Sequence, residues 1–193
     1  MKLVNKDDVI LKTVMENFSF IEPPTDPIEL SIRMGNYMED HNGLGLAANQ
    51  VGLPYRMFVM RGPKGPISIF NPRIVDNSEE IIELDEGCLT FPNFYAKIRR
   101  PLSIKVRYQN EYGETFTEKF NGMTARVFQH ELDHLNGITM IDKLSGTKKQ
   151  KALKKLKVSE RNKHNQISFS KELQDMFIQG KVEDILNKYK GVI

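Results

Sequence analysis

The sequence predicts an α+β fold in which antiparallel or mixed β-sheets pack around a central buried helix, with a helical tail behind it. Three observations lead there. The middle of the chain carries short runs rich in β-branched and aromatic residues, punctuated by Gly, Pro and Asn, with no helical period between them. One later segment, Gly122 to Leu135, has helical spacing and demands burial on both sides. After it, apolar residues recur only at helical intervals, beyond a lysine-rich stretch.

Pro23 and Pro24 mark a loop, and Asp26, Pro27 and Glu29 then give a helix start. Asp26 can cap, Pro27 needs no amide hydrogen in the first turn, and Glu29 sits where a capping box wants an acid. Leu30, Met34, Tyr37 and Met38 follow at helical spacing until Asn42 and Gly43 end the run. Strands are predicted at Arg56 to Met60, Ile67 to Phe70, Glu80 to Leu84, Leu102 to Tyr108 and Thr115 to Phe120. Asn110, Glu111, Tyr112 and Gly113 read as the hairpin turn between the last two. The helix of Gly122 to Leu135 stops at Asn136 and Gly137, a favourable C-terminal pair. Leu173, Met176 and Phe177, then Val182, Ile185, Leu186 and Tyr189, predict one or two closing helices broken near Gly180.

The chain has 193 residues, 39% hydrophobic and 27% charged, which suits one globular domain. Its one Cys excludes an intrachain disulfide. No apolar run approaches the roughly 18 residues of a membrane span, and the N-terminus lacks the apolar core of a signal peptide. A cytoplasmic protein is expected, or an organellar one if a transit peptide has been removed, with no membrane partner and a monomeric state. The formal charge of +3 hides an asymmetry, because residues 143–163 hold nine Lys or Arg against one acid and leave the remainder net acidic.

The most informative residues are His130, Glu131, Leu132, Asp133 and His134, an HExxH pattern inside the second predicted helix. Residues four apart lie on one face, so both imidazoles can reach one metal ion. Glu131 is then placed to act on metal-bound water and not to ligate. Met123, Val127, His130, Glu131 and His134 form a stripe, with Phe128, Leu132 and Leu135 on the other side. Buried polar groups in such a stripe need partners, and a metal supplies one.

Two His need at least one further protein ligand for a catalytic site with an open position. Cys88 is a better candidate than His41, near a loop, or His164, in the basic tail. It follows a predicted strand, and Gly87 beside it permits a bent or close backbone. The third feature is the small-residue loop Gly43 to Gly52, where Gln50 offers an amide donor to a developing oxyanion.

Three separated motifs now coincide. GLGLAANQ at Gly43 to Gln50, EGCLT at Glu86 to Thr90 and QHELDH at Gln129 to His134 resemble, in order and spacing, the signature motifs of peptide deformylases. The resemblance covers roughly Asp26 to Leu144. It implies a metal-dependent hydrolase that removes the N-formyl group from the formylmethionine of newly synthesised polypeptides, releasing formate. Cys88, His130 and His134 would bind one divalent metal, with water as fourth ligand. Fe(2+) is expected by family, and Zn(2+), Ni(2+) or Co(2+) can occupy purified protein. Glu131 would be general base and acid, with Gln50 and the Leu89 amide forming the oxyanion site. The backbone of Gly45 would pair with substrate, and Leu44, Leu84, Met123 and Val127 would line the methionine pocket. Glu86, Arg100 and Asp133 are expected to form an ion network behind the ligands. Thr90 stands where the family more often has Ser, keeping the hydroxyl.

The resemblance divides the chain into a catalytic domain over residues 1–145 and a basic, mostly helical extension over 146–193. The sequence also admits two other readings. An HExxH metallopeptidase would share His130, Glu131 and His134 without needing Cys88 or Gln50. A nucleic-acid or ribosome-binding module would centre on Lys148, Lys149, Lys151, Lys154, Lys155 and Lys157, and ribosome contact there is compatible with deformylation of nascent chains.

Overall fold

In the computed structural model, residues 1–158 are described. They fall into two units, of which the first spans Met1–Ser145. Two α-helices and seven strands build that unit. Helix α1 is Pro27–Asp40, and Asp26 caps it by accepting from the amides of Ile28 and Glu29. Glu29 faces Arg33 one turn on, at 3.7 Å.

Strands β1 (Gly45–Ala47), β2 (Met57–Gly62), β3 (Gly65–Asn77), β6 (Ser103–Gln109) and β7 (Thr115–Asn121) form one antiparallel sheet in the order β1-β2-β3-β6-β7. Strands β4 (Ile81–Cys88) and β5 (Phe91–Pro101) form a separate antiparallel pair. Helix α2 is Gly122–Leu135 and ends in Asn136 and Gly137 as its sequence predicts. Gly137 has φ 70°, and a Cβ there would lie 2.6 Å from the Lys12 carbonyl oxygen, so only glycine fits.

The alternation of β2 explains how the layers meet. Met57 and Val59 turn to a core shared with Leu30, Met34 and Met38 of α1. Phe58 and Met60 turn the other way, to Ala125, Phe128, Leu132 and Leu135 of α2. Phe58 meets Phe128 edge to face at 5.1 Å, and each buried aromatic contributes about 2 kcal/mol. The sheet thus holds one helix on each face.

Several expectations change. The strand predicted at Glu80 to Leu84 continues through Cys88, with a register shift after Gly87. Strand β5 is absent from the predicted strands; Pro92, Pro101, Lys97, Arg99 and Arg100 weaken the strand signal of that segment, yet it pairs along the whole of β4. The glycine-rich loop contains β1 and a 3₁₀ turn, Ala48–Val51. The N-terminal stretch also packs: Leu11, Met15 and Phe18 are buried, and Met15 donates its amide to the Leu135 carbonyl. Residues 146–158 are helical and belong to the second unit. The closing helices predicted beyond Leu173 lie outside the described residues. No helix among the described residues is long and apolar enough to cross a membrane.

Candidate metal centre

Helix α2 buries the HExxH residues because its apolar face fixes its rotation against the sheet. His130, Glu131 and His134 are 8%, 4% and 1% exposed, and the imidazole centroids lie 5.0 Å apart. Cys88 reaches them from the end of β4. There a Cβ on Gly87 would stand 2.8 Å from the Tyr95 ring, so the bend needs glycine. Cys88 Sγ lies 3.2 Å from His134 Nε2. The ligating atoms of Cys88, His130 and His134 all lie within 4.8 Å of one another.

The electrostatics fit a cation. Burial alone would raise the Cys88 thiol, but the charges and hydrogen bonds of His134 and His130 outweigh it and push the group well below the ordinary thiol value. Burial works against a charged His130, yet Cys88 and Glu86 beside it raise its pKa well above the usual imidazole range. A thiolate among imidazoles is a donor set that a divalent ion satisfies better than a shared proton, and it suits iron(II) as well as zinc. His130 Nδ1 sits 2.9 Å from Glu86 Oε2, so a neutral ring donating there turns the lone pair of Nε2 to the metal side.

Glu86 is held in turn. Arg100 donates to its Oε1 at 2.6 Å and Oε2 at 2.9 Å, and Arg126 donates to Oε1 at 2.6 Å. Burial raises the Glu86 carboxyl, but the bonds from His130 and Arg100 prevail and bring it to about 2. Arg100 also donates to Asp133 at 2.7 Å, which meets Lys143 at 3.3 Å. The expected group of Glu86, Arg100 and Asp133 is therefore brought together. Arg126 was missed; its signal was an arginine one turn before His130, on a helix with otherwise apolar neighbours. Asn49 was also missed, and it donates to the His134 carbonyl at 2.6 Å.

Glu131 differs from Glu86. Its Oε2 is buried with no hydrogen-bond partner, and burial raises the carboxyl to about 7 against the opposing charges of His130 and His134. Gln50 is fixed by its own turn: Oε1 accepts from the Ala47 amide at 2.8 Å. Its Nε2 donates to Thr90 Oγ1 at 3.0 Å and reaches Cys88 Sγ at 3.5 Å. Leu89 follows the cysteine and is half-buried.

A cleft of about 660 Å³ opens above these groups, and Leu44, Gly45, Leu89, Met123 and Val127 line it. Leu44 and Met123 are 50% and 54% exposed, which places them at the rim. Leu84 is not among the lining residues; it pairs with Ile98 across β4 and β5 and is 41% exposed. Phe91, Phe94 and Tyr95 of the unpredicted β5 line the cleft instead.

The family profile described as polypeptide deformylase matches residues 1–150. A peptide deformylase of Thermotoga maritima is 43% identical over 150 residues, 78% of this chain and 90% of that protein. One of Thermotoga petrophila is 47% identical over 132 residues, 68% of this chain and 80% of that protein. The crystal structure of the Thermotoga maritima enzyme superposes with a TM-score of 0.71 at 39% identity, covering 75% of this chain and 97% of that one. That of a peptide deformylase from Ehrlichia chaffeensis gives 0.75 at 35% identity, covering 84% and 98%.

Proposed function

The chain belongs to the polypeptide deformylase family, and from that premise we propose that it hydrolyses the N-formyl group of formylmethionine at the start of nascent polypeptides, releasing formate. The observation that carries this reading is the unpartnered buried carboxylate of Glu131, set beside one thiolate and two imidazoles at the floor of an open cleft.

Cys88, His130 and His134 would hold the ion, which supplies Lewis acidity and a water acidic enough to react near neutral pH. Fe(2+) is the proposed native occupant, with Zn(2+), Ni(2+) or Co(2+) as substitutes. Glu131 accepts the proton of the attacking water and returns it to the amine as the bond from formyl carbon to nitrogen breaks. Gln50 Nε2 and the Leu89 amide donate to the formyl oxygen as negative charge develops on it. The Gly45 backbone pairs with the peptide, and Leu44, Met123 and Val127 take the methionine side chain. Glu86, Arg100 and Asp133 keep His130 oriented.

The test is anaerobic purification, metal analysis and formate release from a formyl-Met peptide by wild type beside Glu131→Gln. Full metal with no formate from the wild type would overturn the assignment. Cleavage of unformylated peptides in place of formate release would favour the metallopeptidase reading. Ribosome contact through the Lys148 to Lys157 segment is proposed on charge alone; unchanged ribosome co-sedimentation at low salt after Lys→Gln replacement there would remove it.

A further inference from the structure

A second cleft, of about 490 Å³, shares no lining residue with the first. It sits where β3 and β6 lose register between Phe70 and Arg73. Asn71 forms this bulge with φ 51°, accepting from the Phe18 amide and donating to the Phe18 carbonyl and to Gln109. The bulge brings three arginines to one opening. Arg73 and Arg107 stand directly opposite each other on neighbouring strands, an arrangement that destabilises a sheet when nothing neutralises it. Arg56 lines the same cleft, and its guanidinium meets only neutral acceptors: Asn136 Oδ1 at 3.0 Å, with the Leu135 and Pro72 carbonyls at 3.4 Å.

No carboxylate lines the cleft, and among the described residues none forms an ion pair with Arg56, Arg73 or Arg107. Burial pulls Arg56 below its ordinary pKa, as expected of a cation whose charge no neighbour offsets. The amides of Asn71 and Gln109 are already engaged with the chain, Gln109 Nε2 with the Gly113 carbonyl. The donors left to a visitor are guanidinium groups, the Asn17 amide and the Thr115 hydroxyl. Forked guanidinium donors suit a tetrahedral, multiply charged oxyanion.

We propose that the cleft at the β3 bulge, walled by Arg56, Arg73 and Arg107, is a binding site for a phosphoryl group, separate from the metal centre. The group arrives either as a free phosphate or polyphosphate anion or as part of a nucleic-acid backbone.

The test is calorimetric titration of the full metal-loaded chain with inorganic phosphate and with pyrophosphate, and a fluorescence titration with a short single-stranded RNA. One saturable site per chain is expected for pyrophosphate, weakened at least tenfold in Arg73→Gln/Arg107→Gln. In phosphate-free buffer that variant should melt no lower than wild type, since it loses a repulsion, and should hydrolyse a formyl peptide at an unchanged rate. Arg56→Lys, which keeps the charge and loses the fork, should bind less tightly than wild type. RNA that competes with pyrophosphate and loses affinity in the double variant identifies a phosphodiester source. RNA binding untouched by the substitutions, with pyrophosphate binding lost, identifies a free anion. No saturable pyrophosphate binding, or equal affinity in wild type and double variant, overturns the proposal.

Discussion

Gly45 leaves Glu131 its place: a Cβ on Gly45 would lie 2.5 Å from Oε1 of that carboxylate and 2.8 Å from its Cδ. Gly45 sits in β1, whose partner β2 fixes it from behind, so the strain of an added methyl falls on Glu131. Gly45→Ala should lower kcat by tenfold or more while leaving metal content near that of wild type. Parallel metal analysis and steady-state formate release check it, and an unchanged kcat counts against a proton-transfer role for a carboxylate in this position.

The raised carboxyl of Glu131 sets a pH dependence. Without an ion it is held at about 7 by burial, and a bound cation adds positive charge that favours the ionised form. Proton acceptance requires the carboxylate, so kcat/KM should rise with pH and level off, with the acid limb below pH 7. A profile of the metal-loaded enzyme between pH 4.5 and 8.5 would show it. An acid limb above 7 would contradict this placement of the group.

Glu86 sets a different one, on stability. Its carboxyl is held at about 2 in the fold against 4.5 when unfolded. The unfolded chain therefore takes up the proton first as pH falls. The contribution is complete above pH 4.5 and is lost as pH drops from there toward 2, by about 3 kcal/mol at roughly 1.4 kcal/mol per pH unit. Urea midpoints between pH 6 and pH 3 should fall more steeply for wild type than for Glu86→Gln. Parallel slopes would show that Glu86 does not carry the acid sensitivity.

Arg126 should matter through His130, with which its side chain shares Glu86. It donates to Glu86 at 2.6 Å and to the Ile98 and Ile82 carbonyls at 3.0 and 2.9 Å. Arg126→Met removes one of two cations on Glu86 and loosens the acceptor that orients His130. Metal affinity should fall about 10- to 100-fold, with partial recovery in Arg126→Lys. Competition with a coloured chelator measures both. Wild-type affinity in the methionine variant, folded by circular dichroism, would leave Arg126 a purely structural residue.

What the sequence made legible was what depends on local spacing. The turn of Asn136 and Gly137, the cap at Asp26 and the shared face of His130 and His134 follow from neighbours within a few residues, and all appear in the structure. Cys88 came from the need for a third ligand and from the family pattern, since periodicity says nothing about contacts across a fold. The missed parts are long-range. Strand β5 hides behind two prolines and three cationic residues because its stability comes from β4 and from burying Arg100 against Glu86, a compensation invisible in the strand's own composition. Leu84 was placed in the pocket by family position, yet the structure leaves it outside the cleft, beside Ile98.

The separation of the two sheets has a mechanical result. Cys88 belongs to the β4–β5 ribbon and His134, 46 residues later, to the helix seated on the five-stranded sheet. An ion shared by the two side chains would be a removable staple: its binding energy would count toward the folded state alone, a cross-link held only while the domain stays folded, in a protein whose single cysteine can form no internal disulfide. Oxidation of that one sulfur would then do two kinds of damage together, disarming the chemistry and unfastening the ribbon from the rest of the domain.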